Sequence, residues 1–272
     1  MGDYAGASEP ELRASARAQL LTLIDRLELK PAQLTTERID SGRFQASASL
    51  RGALRAHLDL AFRSASKPAE LLGVATRGIC RVAWHPDLAG FPIGVALALP
   101  ASHLPRSRAE LFADDSVTLA GAPLAILFAL ATNPARLGAG SRLIRDLSAD
   151  CGQFTPRPRL VAFSPLTGLR VQAIHLLDDE EAWAAASAGC EDPQLLRQQI
   201  SEALSGERLP ESMAEPFASW LAEQARIYAH SSRYVVGRFH RRLGGSLIGI
   251  AHHADPDDPG SLWARALFDY LA

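Results

Sequence analysis

Apolar residues near the amino terminus recur at the three- and four-residue spacing of α-helices. The spacing predicts one helix over residues 11–27, with Pro10 where the first turn of a helix tolerates proline. It predicts a second helix over residues 47–65, whose apolar face consists of Leu50, Leu54, Leu58 and Ala61. The sequence Ser66-Lys67-Pro68 is a typical break. Residues 1–66 are therefore predicted to form a short helical module, and residues 67–272 a separate domain.

After this break the pattern changes to short apolar runs bounded by Gly, Pro and Asp, as strands usually are. Residues 79–84 and 93–99 predict two neighbouring antiparallel strands. The continuous apolar run at residues 124–130 predicts a strand that is buried on both faces. Further strands are predicted over residues 160–163, 234–239 and 247–251.

Helical spacing returns between and after these runs. It predicts helices over residues 140–150, 193–204 and 213–229. A closing helix is predicted over residues 261–271, because Pro259 and Gly260 mark its start. Mostly antiparallel strands with interspersed helices predict a domain of the α+β or mixed α/β class.

Composition and charge limit the partners and the compartment. The 272 residues carry a formal net charge of -2, which argues against a nucleic acid or an anionic membrane as partner. The most apolar stretch, residues 119–131, is shorter than the roughly 20 residues that a membrane span needs. The amino terminus lacks the pattern of a signal peptide. Three widely spaced cysteines, at positions 80, 151 and 190, favour a reducing, cytoplasmic location.

The segment between the strand at 124–130 and the helix at 140–150 is a candidate phosphate-binding loop. Its glycines allow close approach of the backbone to a phosphate, and the amides of a helix start favour an anion. The pyrophosphate of coenzyme A is one such ligand, to which Arg136 and Arg142 would add positive charge. A tight strand-to-helix turn explains the same pattern, so both interpretations stay open. The candidate contacts are Thr132, Asn133, Arg136, Gly138, Gly140 and Ser141.

Two further positions are candidates for chemistry. Ser164 leaves a predicted strand into a turn that Pro165 and Gly168 favour, and ligands often bind at strand ends. His240 follows a phenylalanine and precedes a glycine pair. A turn-satisfying serine and a structural histidine are the alternatives. The Gly-x-Ser-x-Gly elbow of a hydrolase does not surround Ser164. His252 and its acidic neighbours fit a polar loop better than a metal site, so no metal is predicted.

In order along the chain, four segments resemble the malonyl-CoA decarboxylase family. They are CRVAWHPDLAGFPIGVALALP from Cys80, LGAGSRLIRDL from Leu137, SPLTGL from Ser164 and FHRRLGG from Phe239. The pairs Ala254-Asp255 and Asp269-Tyr270 extend the resemblance towards the carboxyl terminus. The sequence departs from the family pattern at Thr167, Leu243, His252 and His253, and its helical amino-terminal region is much shorter.

The resemblance implies a GNAT-type acyltransferase-like domain that converts malonyl-CoA or malonyl-acyl carrier protein to the acetyl thioester and CO2. No cofactor is implied, because coenzyme A is part of the substrate. His240 would bind the malonyl group and protonate the enolate carbon, while Ser164 would position the carboxylate or relay the proton. Pro165 and Gly168 would contribute to the substrate site.

Two other functions and the assembly state stay open. One alternative is a decarboxylative acetyltransferase of secondary metabolism, which passes the acetyl unit to an amine, a hydroxylamine or a carrier protein. The other is a non-catalytic acyl-CoA-binding protein. The amino-terminal module either packs on the domain or mediates assembly into a homo-oligomer.

Overall fold

The computed structural model describes residues 22, 29–61, 77–88, 90–113, 117–132, 138–206, 215–252, 254–255 and 258–270. They belong to two compact units. The first comprises Met1–Pro100 and Thr118–Pro158, and the second Ala101–Val117 and Arg159–Ala272. Apart from Thr22, the helix predicted over residues 11–27 lies outside the described residues, as does the predicted boundary between residues 66 and 67.

The described elements mix strands and helices, as the mixed α/β prediction requires. The strands are β1 (Thr35–Ile39), β2 (Ile79–Trp84), β3 (Gly94–Ala101), β4 (Leu124–Thr132), β5 (Arg159–Pro165), β6 (Ser246–Ala251) and β7 (Arg265–Tyr270). The helices are α1 (Ser41–Ala46), α2 (Ala48–Ala61), α3 (Arg108–Ala113), α4 (Ala139–Cys151), α5 (Leu169–Asp178), α6 (Glu180–Ala186), α7 (Pro193–Ser205), α8 (Glu215–His230) and α9 (Val235–Arg242). Among the described residues, no helix combines the length and the apolar character needed to cross a bilayer.

In the first unit, strands β1 to β4 are neighbours in that order. Strands β2 and β3 pair antiparallel, with Cys80 opposite Leu97, which confirms the prediction of two adjacent antiparallel strands. Every residue of β3 is buried, and β4 is buried along most of its length. Helix α4 packs on this sheet through Leu143, Ile144 and Leu147, whose spacing places them on one face.

In the second unit, β7 lies between β5 and β6 and pairs antiparallel with both. The register sets Ser164 of β5 opposite Ala266 of β7, and Leu160 opposite Tyr270. Five helices, α5 to α9, follow β5 and precede β6 in the chain. Strand β7 can hold side chains against β5 because paired residues of neighbouring strands point to the same face.

The strand predicted over residues 234–239 is wrong, because this segment begins helix α9. Tyr234, Gly237 and His240 are buried at intervals of three residues, which places them on one face of a helix. The β-branched Val235, which favoured a strand, is 62% exposed. Tertiary packing of an aromatic and a polar side chain therefore overrides the local β-propensity.

The helix predicted over residues 47–65 is confirmed by α2 (Ala48–Ala61), whereas the closing helix is wrong and the helical module also contains a strand. The closing helix over residues 261–271 is instead a 3-10 turn, Pro259–Ser261, followed by strand β7. A run that is buried on both faces has no clear period, and partners on both edges make it a strand. The helical amino-terminal module contains strand β1, in which Thr35 pairs opposite Trp84 of β2. Its two adjacent β-branched threonines suit a strand better than a helix.

Candidate active site

Three buried side chains of the second unit form a hydrogen-bonded chain. The Oγ atom of Ser164, near the end of β5, lies 2.7 Å from Nε2 of His240 in α9. The other ring nitrogen of that histidine, Nδ1, is hydrogen-bonded to the phenol oxygen of Tyr270 at the end of β7. These side chains belong to residues that are only 7%, 3% and 7% exposed, respectively. The structure thus brings together the two residues singled out from the sequence, while their catalytic roles stay predictions.

The register of the strands explains this meeting. Ser164 and Ala266 are opposite each other, and Phe268 and Tyr270 follow Ala266 at every second position, so all four side chains share one face. The ring of His240 stacks on Phe268, with centroids 4.7 Å apart and planes at 21°.

Burial fixes the protonation states of His240 and Tyr270 in this hydrogen-bonded chain. Burial and, to a smaller extent, the neighbouring guanidinium of Arg241 together lower the pKa of His240 to about 4. Burial also raises the pKa of Tyr270. At neutral pH the imidazole and the phenol are therefore both uncharged. A neutral imidazole has one N–H and one acceptor nitrogen, so the chain can run from Ser164 to Tyr270 or in the opposite direction. Such a chain can transfer a proton.

The turn that follows Ser164 is held by two tyrosines. The phenol of Tyr228 donates to the carbonyl of Thr167 at 2.6 Å, and that of Tyr234 donates to the carbonyl of Pro165 at 2.9 Å. Gly168 has a φ of +96°, and a Cβ atom there would lie 2.5 Å from the phenol oxygen of Tyr228. Glycine is therefore required at this position on both conformational and steric grounds.

The candidate phosphate-binding segment belongs to the first unit, where the structure describes its predicted strand and helix. Thr132 is the last residue of β4, and Gly138 adopts a left-handed conformation with φ 71° before α4. Gly140 is buried and Ser141 half-buried in the first turn of α4. Arg142 donates from Nη1 to the carbonyl of Leu34. Two further candidates lie outside the described residues: Asn133 and Arg136.

No side chain among the described residues caps the start of α4. The first amides of a helix lack partners within the helix, and they are suitable donors to an anion. The described start of α4 is therefore compatible with an anion, and ligand binding by this segment stays a prediction.

Sequence reasoning did not assign a role to Tyr270. In the sequence, Tyr270 is only part of a motif that resembles the family, and the pattern predicts a helix over the residues that contain it. Its contact with His240 depends on the pairing of β5 with β7, which joins segments about a hundred positions apart. The local signal is a tyrosine that follows three apolar residues and Asp269, since a buried phenol usually has a hydrogen-bond partner.

Three solved structures are similar to this chain over nearly its full length. The malonyl-CoA decarboxylase from Agrobacterium vitis gives a TM-score of 0.67 at 17% identity and covers 97% of the chain. The malonyl-CoA decarboxylases from Rhodopseudomonas palustris and Cupriavidus metallidurans give TM-scores of 0.64 and 0.60, each at 15% identity over 96% of the chain. The chain has the fold of the malonyl-CoA decarboxylases.

The malonyl-CoA decarboxylase fold confirms the resemblance of the sequence motifs at the level of architecture. The resemblance to this family implies a GNAT-type domain, and the mixed α/β arrangement of the described elements agrees with that expectation. The chain spans 66%, 65% and 71% of the lengths of the three structures, so it matches about two thirds of each protein. No protein-family model matches the chain, and no curated protein matches its sequence.

Proposed function

We propose that this protein decarboxylates a malonyl thioester to the acetyl thioester and CO2. The supporting observation is the buried chain of Ser164, His240 and Tyr270 within a malonyl-CoA decarboxylase fold. The reaction needs no cofactor, because the electron pair of the breaking C–C bond enters the thioester carbonyl and forms an enolate. The protein has to stabilise that enolate and supply a proton to its carbon.

His240 is suited to supply this proton once the substrate is bound. Its imidazole is neutral in the free protein, because burial lowers its pKa to about 4. A malonyl carboxylate beside the ring raises the pKa of His240, because an opposite charge favours the protonated form. Substrate binding then takes up one proton from solvent. After CO2 leaves, the hydroxyl of Ser164 gives its proton to the enolate carbon and receives the proton of Nε2–H from His240. The carbon becomes the methyl group of the acetyl thioester, and the imidazole is neutral again.

Ser164 and Tyr270 support the two nitrogens of this imidazole. When both nitrogens are protonated, Nδ1–H donates to the phenol oxygen of Tyr270 and Nε2–H is directed towards Ser164. The hydroxyl of Ser164 is then free to donate to the substrate carboxylate and hold it. Apolar neighbours such as Phe268 favour loss of the carboxylate charge as CO2, since they solvate an anion poorly.

The thioester is carried by coenzyme A or by an acyl carrier protein. The segment formed by Thr132, Gly138, Gly140 and Ser141, together with Asn133 and Arg136, is the proposed pyrophosphate contact. This assignment is independent of the reactive residues and has its own test. Gly140→Val places a side chain in the buried first turn of α4, and we expect weaker binding of coenzyme A by calorimetry. Ser164→Ala should leave that affinity unchanged.

The reaction is tested by incubating purified protein with malonyl-CoA and following acetyl-CoA by mass spectrometry. We expect conversion by the wild type and a loss of at least about 100-fold in His240→Gln, the scale of general acid catalysis. The control is His175→Gln, which changes an exposed histidine on α5. Equal turnover by His240→Gln would show that the proposed role of His240 is wrong.

Parallel reactions separate the remaining candidates. Malonyl-carrier protein replaces malonyl-CoA in one, and a primary amine or hydroxylamine is added in another. An acetylated amine identifies a decarboxylative acyltransferase. Binding of coenzyme A without release of CO2 from either malonyl thioester identifies an acyl-CoA-binding protein and contradicts the proposed decarboxylation.

A further inference from the structure

Tyr234 connects the two elements that carry the reactive residues. It immediately precedes helix α9, which contains His240, and its phenol donates at 2.9 Å to the carbonyl of Pro165, the neighbour of Ser164. We propose that Tyr234 is a positioning residue that sets the contact between Ser164 and His240 by holding the start of α9 on the end of β5. The effect of Tyr234 on turnover that we expect rests on the proposed function.

On the helix side, the backbone of Tyr234 is part of α9. Its carbonyl accepts from the amide of Arg238 at 3.0 Å, so its position fixes the first turn of the helix. Gly237 makes room for the ring, because a Cβ atom there would lie 2.3 Å from Cδ1 of Tyr234. The ring therefore packs against the same helix that carries His240, six residues further along the chain.

On the strand side, the phenol contacts the residue directly after the serine. A displacement of Pro165 moves Ser164 with it, since the two share a peptide bond. The short separation of 2.7 Å between Ser164 Oγ and His240 Nε2 leaves little tolerance for such a movement. The hydrogen bond of Tyr234 spans the same two elements as the reactive pair, so it restrains the geometry of that pair.

Aromatic packing prevents the ring of Tyr234 from moving away. Its centroid lies 5.5 Å from that of Tyr228 and 6.2 Å from that of Phe268. Phe268 stacks in turn on His240, so the tyrosine and the histidine contact the same phenylalanine. Tyr234 is fully buried, and burial raises the pKa of its phenol, which therefore stays a neutral donor.

The test is Tyr234→Phe, which keeps the ring and removes the phenol oxygen. Two properties are measured: the steady-state kinetics with malonyl-CoA, and the pKa of His240 by NMR titration of its ring proton. We expect kcat to fall about 10- to 100-fold with KM unchanged, the scale of a small misplacement of a reacting group. We also expect the pKa of His240 to rise towards its ordinary value, because a loosened α9 admits water.

The matched control is Ser187→Ala. It removes another buried hydroxyl, that of the residue directly after α6, which donates to the backbone carbonyl of Trp183 at 2.8 Å. Around His240 the polar groups in contact are Ser164 from β5, Tyr270 from β7 and Arg241 from its own helix, and both variants retain all three. We expect the control to leave kcat and the pKa of His240 at wild-type values.

The outcomes separate this inference from the proposed reaction. A folded Tyr234→Phe protein with wild-type kcat and an unshifted His240 pKa would overturn the inference, and so would changes no larger than those of Ser187→Ala. If the wild type does not turn over malonyl thioesters, the proposed function fails. The NMR titration of His240 then tests the positioning role of Tyr234 without the kinetics. Gly237→Ala keeps the phenol but displaces the ring, and we expect the same direction of change in both measurements.

Discussion

At the scale of single residues, the burial of His240 links its proton state to the stability of the protein. Unfolding returns its pKa from about 4 to the ordinary value near 6.5. Between these two values the unfolded chain binds more protons than the folded one. The free energy of unfolding therefore rises with pH through this window, and the contribution of His240 is complete above it and lost below it.

This linkage predicts a contribution of about 3 kcal/mol to the free energy of unfolding. It is measured by urea unfolding at several pH values between about 4.5 and 7 for the wild type and His240→Gln. The wild type should gain stability more steeply with pH than the variant does. The comparison is needed because burial also lowers the pKa of His57, which titrates in the same direction in both proteins. Parallel curves would contradict the predicted pKa.

Tyr270→Phe tests the other end of the hydrogen-bonded chain. Without the phenol, Nδ1 of His240 loses the hydrogen-bond partner that holds the orientation of the ring. We expect kcat for malonyl-CoA to fall about 10- to 100-fold, as is common when an orienting partner of a functional histidine is removed. KM should not change, because Tyr270 makes no proposed contact with coenzyme A. A wild-type kcat would show that Tyr270 does not support His240.

Sequence motifs identify Ser164 and His240, but they assign no role to Tyr270, the third residue of the hydrogen-bonded chain. Motif residues at a strand end or before a glycine pair carry a local signal. Tyr270 becomes functional only through the pairing of β5 with β7, which no local pattern encodes. The contact between Tyr234 and Pro165 has the same origin, because it joins positions 69 residues apart.

At the scale of elements, the prediction succeeds where the apolar pattern favours one type of element and fails where polar residues or an exposed β-branched residue disturb that pattern. Strand β5, helix α4 and helix α7 lie within one or two residues of their predicted bounds. The elements that carry His240 and Tyr270 were assigned the wrong type. Helix α9 buries a histidine and exposes a valine, and β7 is buried at nearly every position, so the usual periods are absent.

The turn between β5 and α5 gives a prediction at this scale. Gly168→Ala adds a Cβ atom 2.5 Å from the phenol oxygen of Tyr228 at a φ of +96°. Strain of this kind costs about 1–3 kcal/mol, and the tyrosine must also move. Gly189→Ala is the matched control, because its φ is +87° and the added Cβ atom meets nothing within 4 Å. Thermal unfolding should show a larger loss for Gly168→Ala, and equal losses would mean that Tyr228 yields without cost.

At the scale of the whole molecule, each unit contains buried ionic contacts between distant residues. In the first unit, Arg81 of β2 binds both carboxylate oxygens of Asp150 in α4, at 2.7 and 3.0 Å. In the second unit, Asp255 binds Arg265 at the start of β7. A nearly neutral net charge does not reveal such pairs. They form because strands and helices bring together residues that the sequence separates.

The contact in the first unit gives the last prediction. Asp150→Asn removes the bidentate partner of the partly buried Arg81 and leaves its guanidinium with Asp146 alone, whose carboxylate lies 3.4 Å away. Complete loss of a buried ion pair costs about 3–5 kcal/mol, so we expect a loss below that range but above about 1 kcal/mol. Glu223→Gln breaks the exposed pair with Arg226 on α8 and should cost less than about 1 kcal/mol. Urea unfolding of the two variants measures this contrast. Because neither carboxylate belongs to the reactive chain, kcat should be that of the wild type wherever both variants are folded. Equal stability losses would mean that solvent screens the buried pair as fully as the exposed one.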